Sequence, residues 1–209
     1  MTLEQHSAQT RIPLELIGKF QQALPVVRRW VDDTLYAYRE QTCPANPRDY
    51  LRLLQVFPHE LLSRARCVVV AGHLPFPPLS RMGLPELGAF EAMPISGITY
   101  RDTFFVREGQ QSESLYFHEI VHVVQWDRLG VDRFLMAYGV GLMQSGYRNS
   151  PLEEMAYRLQ ADFDRGRIAG DLVGLIQEGT DRIWEDVTTL IGTPSYPGPI
   201  NSPRPRRKA

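Results

Sequence analysis

The tightest constraint in this sequence is a stretch where apolar side chains surround three ionisable ones. Leu115, Phe117, Ile120, Val121, Val123, Val124 and Trp126 cover most of the circumference of a helix that also carries His118, Glu119 and His122. No proline or glycine interrupts it before Gly130. A helix that is apolar all round is a buried helix. Two imidazoles and a carboxylate inside it need partners, because a buried polar group without a hydrogen bond costs roughly 2–7 kcal/mol. The fold must therefore bring complementary groups to them.

The spacing indicates what those groups serve. His118-Glu119-Ile120-Val121-His122 spells HExxH. Residues four apart on a helix point the same way, about 40° apart around the axis. Two imidazoles so placed can close on one zinc ion, with nitrogens at about 2.0–2.1 Å. Glu119 is rotated by about 100° from His118. It can flank the open position without ligating, which suits a general base acting on water there. The other histidines lack this pairing. His59-Glu60-Leu61-Leu62-Ser63 has serine where the second histidine would stand, and reads as an ordinary helix start. His6 lies in a polar N-terminus, and His73 beside a proline-rich loop reads as structural. Trp126 reads as core and Gln125, on the histidine face, as a partner for a histidine.

A hydrolytic zinc site has three protein ligands and one open position. The extended pattern HExxHxxGxxH is ruled out, because position 125 is Gln and position 128 is Arg. A glutamate from a later helix is the next source, and Asn149-Ser150-Pro151-Leu152-Glu153-Glu154-Met155-Ala156-Tyr157 offers Glu153 and Glu154. Glu153 has a second reading. With Ser150 as N-cap and Pro151 at the first helical position, Ser-x-x-Glu is a capping box whose glutamate bonds back to the backbone.

From about Ile98 to Gln160 the chain resembles the gluzincins, HExxH peptidases with a glutamate as third ligand, and looks most like their small single-domain, minigluzincin-type members. The matching parts are a strand Ile98–Val106, the helix with His118, Glu119 and His122, and a helix opening Pro151-x-Glu153-x-x-Ala156. The resemblance implies a zincin-like fold and Glu153 as the third zinc ligand. It also implies a strand edge that pairs with a peptide or protein substrate. The chain departs from the family at Tyr157, where many members carry an Asp that supports a zinc histidine. Asp102 and Asp162 are candidates for that support. Tyr147, just before the helix, is a candidate oxyanion donor, or a packed tyrosine.

Three functions compete. One is a zinc peptidase with Glu119 as base. Another is a non-catalytic binding module that uses zinc as a closed staple, with His73 or Glu154 as a fourth ligand and the N-terminal helices or the tail as recruiting surfaces. The third is a helical core whose histidines hold no metal.

The remaining pattern predicts an α+β chain dominated by helix, with a small mixed or antiparallel sheet. Residues 1–10 read as loose and 11–191 as one domain. Within it, 11–66 are N-terminal helices, 67–170 the core that bears HExxH, and 171–191 a C-terminal helical stretch. Pro25 should kink or split the first helix, and Asn46-Pro47 should start another. Cys67–Ala71 reads as a buried strand. Ile98–Val106 reads as a second strand, with Ile98, Tyr100, Phe104 and Val106 on one face. Further helices run from about Glu113 to Leu129, Asp132 to Met143 and Ser150 to Arg167, and Leu172 to Leu190 reads as a last helical stretch that Gly179 should break. Residues 192–209 read as a disordered proline-rich tail.

The formal charge of −1 argues against nucleic acid or an anionic membrane as main partner. Cys43 and Cys67 form no CxxC pair and read as reduced thiols. No apolar run reaches the roughly 18 residues of a membrane span, and the N-terminus lacks the apolar core of a signal peptide. The expected location is the cytoplasm.

Overall fold

The computed structural model describes residues 13–45 and 50–192. The readings for the N-terminus, the Asn46-Pro47 start and the tail lie outside those residues, apart from Gly192. The architecture is α+β with helix dominant. Helix α1 (Leu14–Tyr38) leads to a two-residue strand β1 (Cys43–Pro44) and short helices α2 (Leu53–Val56) and α3 (His59–Arg64). Strand β2 (Arg66–Val70) follows, then two 3-10 segments, the strands β3 (Gly97–Tyr100) and β4 (Thr103–Arg107), and helices α4 (Glu113–Ser145), α5 (Pro151–Asp164) and α6 (Leu172–Ile191). The sheet is mixed, in the order β1-β2-β4-β3, with β2 and β4 parallel and the two outer pairings antiparallel. Among the described residues no helix is long and apolar enough to cross a membrane.

The sheet lies between two helical layers because its strands alternate apolar residues to both faces. On one face Val68, Val70, Tyr100 and Phe105 join a core with Phe20, Val27 and Val31 of α1. On the other, Cys67, Phe104 and Val106 join Tyr116, Phe117 and Ile120 of α4. Aromatic edges tie both layers: Trp30 meets Tyr100, and Phe104 meets Tyr116, with ring centroids 5.6 and 5.0 Å apart. Complete burial of Phe104 and Phe105 stabilises the fold by about 1.5–3 kcal/mol each. The two thiols are free, and Cys43 and Cys67 face each other across β1 and β2. Burial pushes the Cys67 thiol up to about 12.

Four local expectations are corrected. Ile98–Val106 is not one strand but a hairpin, turned at Arg101-Asp102 with Arg101 at φ 55°. Thr103 therefore sits opposite Tyr100 and shares its face. Phe104 and Val106 consequently leave the face of Ile98 and Tyr100 and take that of Gly97 and Thr99. Pro25 does not split α1, which runs unbroken through it. Gly179 does not end α6; it makes room for Met155, whose Cε would lie 2.7 Å from a Cβ at that position. The expected end at Gly130 is seen as a non-helical residue (φ 69°, ψ 175°) that divides α4 into two helical arms.

Candidate metal centre

Helix α4 starts where the Ser112 side chain accepts the Leu115 N–H at 3.1 Å, a standard N-cap. From there the helical register places His118, Glu119 and His122 under the sheet. Helix α5 approaches the second arm of α4 at Gly141, where a Cβ would stand only 3.0 Å from Pro151 Cδ. That close approach brings Glu153 to the histidines. All four residues are 4 % exposed or less.

His118, His122 and Glu153 each offer a ligand atom to one point. The two Nε2 atoms are 3.1 Å apart, Glu153 Oε2 is 3.3 Å from His118 Nε2, and Glu153 Oε1 is 3.5 Å from His122 Nε2. A tetrahedral ion with bonds of 2.0–2.1 Å separates its ligand atoms by about 3.3 Å. Each separation is close to that value, with the two carboxylate contacts made by different oxygens, and one ligand atom from each of the three residues lies within 4.8 Å of the others.

The surrounding hydrogen bonds make the same point by charge. Gln125 Nε2 donates to the Leu152 carbonyl at 3.1 Å and Gln160 Nε2 to Ser114 Oγ at 2.9 Å. Each amide therefore turns its oxygen to a histidine: Gln125 Oε1 lies 2.8 Å from His122 Nδ1, and Gln160 Oε1 lies 3.1 Å from His118 Nδ1. Both Nδ1 atoms must donate, which leaves both Nε2 atoms of neutral rings as acceptors. Glu153 Oε2 is buried and makes no hydrogen bond, while Oε1 accepts from the Tyr138 hydroxyl at 2.7 Å. Electron pairs from three side chains thus converge where only a cation relieves their repulsion. In the metal-free protein a proton serves. Burial acts to lower the His122 pKa, but the charge and hydrogen bond of Glu153 outweigh it and raise it to about 9. Burial likewise acts to raise Glu153, and the two histidines outweigh it and hold the carboxyl well below its usual range.

Glu119 stands beside this cluster without joining it. Its Oε2 accepts from Thr99 Oγ1 at 2.6 Å, and burial pushes its carboxyl up against the opposing pull of the histidine charges. Strand β3 leaves it space at Gly97, where a Cβ would stand 2.7 Å from Glu119 Cδ. The strand is one edge of the sheet, and its Gly97 and Thr99 are buried. The Ser96 carbonyl accepts from Arg107 N–H at 3.0 Å, so alternation turns the backbone groups of Gly97 and Thr99 outward. The Thr99 carbonyl there accepts Trp126 Nε1 at 3.1 Å; Gly97 faces the edge next to Glu119. A partly enclosed cavity of about 70 Å³ opens onto Glu119, His122 and Glu153, and Tyr147 lines it too. Burial and the Glu153 charge push the Tyr147 phenol up, which keeps its hydroxyl as a neutral donor.

The structure brings together His118, His122, Glu153, Glu119 and Tyr147. It does not realise the capping box: Ser150 is the N-cap of α5 but makes no side-chain cap bond, and its Oγ is buried without a partner. Glu154 is exposed and outside the cluster, as is His73. Asp102 and Asp162 do not support a histidine. Asp102 accepts from Thr103 Oγ1 at 3.0 Å in the hairpin turn, and Asp162 pairs with Arg167 at 2.8 Å. The supporting groups are two carboxamides. Gln125 was indicated by its place on the histidine face. Gln160 was missed, although its position seven residues after Glu153 puts it on the same face of α5. Tyr138 carried no sequence signal. The chain matches no family model, no curated protein and no solved structure.

Proposed function

We propose that this chain is a zinc-dependent peptidase of zincin-like fold, with His118, His122 and Glu153 as ligands and Glu119 as general base. The observation that carries the reading is the placement of Glu119: buried, held by Thr99, beside the three converging ligand atoms but absent from them. A purely structural staple needs a fourth protein ligand, and among the described residues no further His, Cys, Asp or Glu joins the cluster. The donor set, two imidazoles and a carboxylate, supports zinc.

When bound, zinc supplies Lewis acidity toward the scissile carbonyl and toward water. The protein's own groups do the rest. Strand β3, an edge of the sheet, is the element that would pair with an extended peptide, as in strand addition, once the contacts that bury Gly97 open. Glu119 takes the proton of the attacking water and passes it to the leaving amine. Its raised carboxyl pKa suits a group that must hold that proton for part of the cycle. Tyr147, a neutral donor at the cavity wall, hydrogen-bonds the developing oxyanion. Gln125 and Gln160 fix the tautomers that present Nε2, and Tyr138 turns Glu153 so that Oε2 stays free.

The test is direct. Zinc-loaded protein incubated with unfolded casein should release fragments, lose that activity to a chelator and regain it with added zinc. Casein left intact by fully zinc-loaded protein would refute the peptidase reading. Gly97→Ala gives a finer check, since the added methyl must displace the Glu119 carboxylate. Zinc content should stay at one per chain while kcat falls by about a hundredfold, the usual cost of misplacing a reacting group by an ångström.

A further inference from the structure

The cavity beside the metal centre is charged only where Glu119, His122 and Glu153 reach it, and the remaining wall is almost wholly apolar. Much of that wall comes from outside the HExxH helix. Phe20 and Val27 of α1 line it, as do Phe76 and Leu79 of the segment after β2. Trp126 is held in place by its bond to the Thr99 carbonyl and by stacking on Phe134 at 3.9 Å. A wall of this kind rewards an apolar group and penalises a charged one, which would lose its hydration without gaining a partner.

Size narrows the class. At about 70 Å³ the cavity has roughly half the ~150 Å³ of an apolar cavity that admits benzene. It suits a branched aliphatic group and is too small for an aromatic ring. Phe20 is one of the side chains that bound it. Its ring rests on Gly139 so closely that a Cβ there would stand 2.8 Å from Phe20 Cε2. Phe20 is 4 % exposed and packed against Gly139 of α4, which leaves it little room to give way to a larger group.

Building on the peptidase reading above, we infer that this cavity receives a branched aliphatic side chain, of valine or leucine type, from the residue flanking the scissile bond, and that Phe20 is the specificity-determining residue that sets its depth. Val- and Leu-bearing peptides are then cleaved with kcat/KM roughly ten- to 200-fold above Ala-, Phe- or Asp-bearing ones, the range a hydrophobic pocket can give. Phe20→Leu deepens the pocket and brings the Phe-bearing peptide level with or above the Leu-bearing one.

The experiment separates this inference from the reading beneath it by measuring binding as well as cleavage. Isovaleramide and phenylacetamide are titrated into metal-free protein while the Trp126 indole resonance is followed. Isovaleramide should shift it and phenylacetamide should not, and in Phe20→Leu both should shift it. The same size order should appear in cleavage by the zinc-loaded protein. Selective binding without any cleavage would sustain the pocket and sink the peptidase. Cleavage indifferent to side-chain size, or equal binding of both amides by the wild type, would overturn the pocket and leave the peptidase standing. The wild-type comparison decides the matter even where the variant fails to fold.

Discussion

Glu119→Gln is expected to keep zinc at one ion per chain and to lower kcat for peptide cleavage by about a thousandfold, with KM little changed. The size follows from general-base catalysis, which contributes about 10²–10⁴-fold. Glutamine preserves the shape that fits the space left by Gly97 and can still accept the Thr99 hydroxyl, so positioning is retained while the proton acceptor is lost. Metal binding should survive because Glu119 is outside the ligand triad. The expected signature is therefore a kcat effect at constant zinc stoichiometry, read by atomic absorption beside steady-state kinetics. Wild-type turnover in this variant would remove Glu119 from the mechanism. Lost zinc would instead make Glu119 a ligand and contradict the geometry.

How much of this site could be read from the chain alone depended on how local its cause was. The paired histidines were legible because one helical turn fixes their relation, and the buried character of α4 was legible from its all-round apolar surface. Glu153 was offered by a resemblance and contested by a capping box. The structure shows no cap bond at Ser150, and α5 packing at Gly141, a tertiary contact that no local pattern reports, brings Glu153 to the histidines. The hairpin at Arg101-Asp102 was missed because its turn lacks the Asn-Gly or Asp-Gly signal; only the broken alternation at Asp102 hinted at it. Pro25 and Gly179 misled for one reason. Each has a local propensity against helix, and each is overruled by packing of the helix that carries it. The carboxamide support was misassigned to Asp102 and Asp162 because a charged partner was assumed. The cavity, assembled from α1, β3 and both arms of α4, has no local signature.

Glu153→Gln should lower zinc affinity more than any change in the groups that merely support the ligands. Loss of a hydrogen bond to a ligand histidine, as in Gln125→Met or Gln160→Met, costs about 10–100-fold in metal affinity. Glu153→Gln removes a ligand charge and an Oε2 that makes no hydrogen bond, so the fall should exceed about a hundredfold. The metal-free protein offers an independent readout. There Glu153 balances the proton on His122, and removing one partner of a buried pair costs about 3–5 kcal/mol, against about 1 kcal/mol for a lost helix cap. Sign and pH window follow from the raised His122 pKa: its contribution is complete below the unfolded value near 6.5 and disappears as pH rises through about 9. The destabilisation of metal-free Glu153→Gln should accordingly be larger at pH 6 than at pH 9.5, whereas a capping role would give the same loss at both. Urea unfolding of metal-free wild type and variant at the two pH values, beside zinc titration at pH 7, decides between ligand and cap. A variant with wild-type zinc affinity and a pH-independent loss near 1 kcal/mol would return Glu153 to the backbone and leave the two histidines without their third ligand.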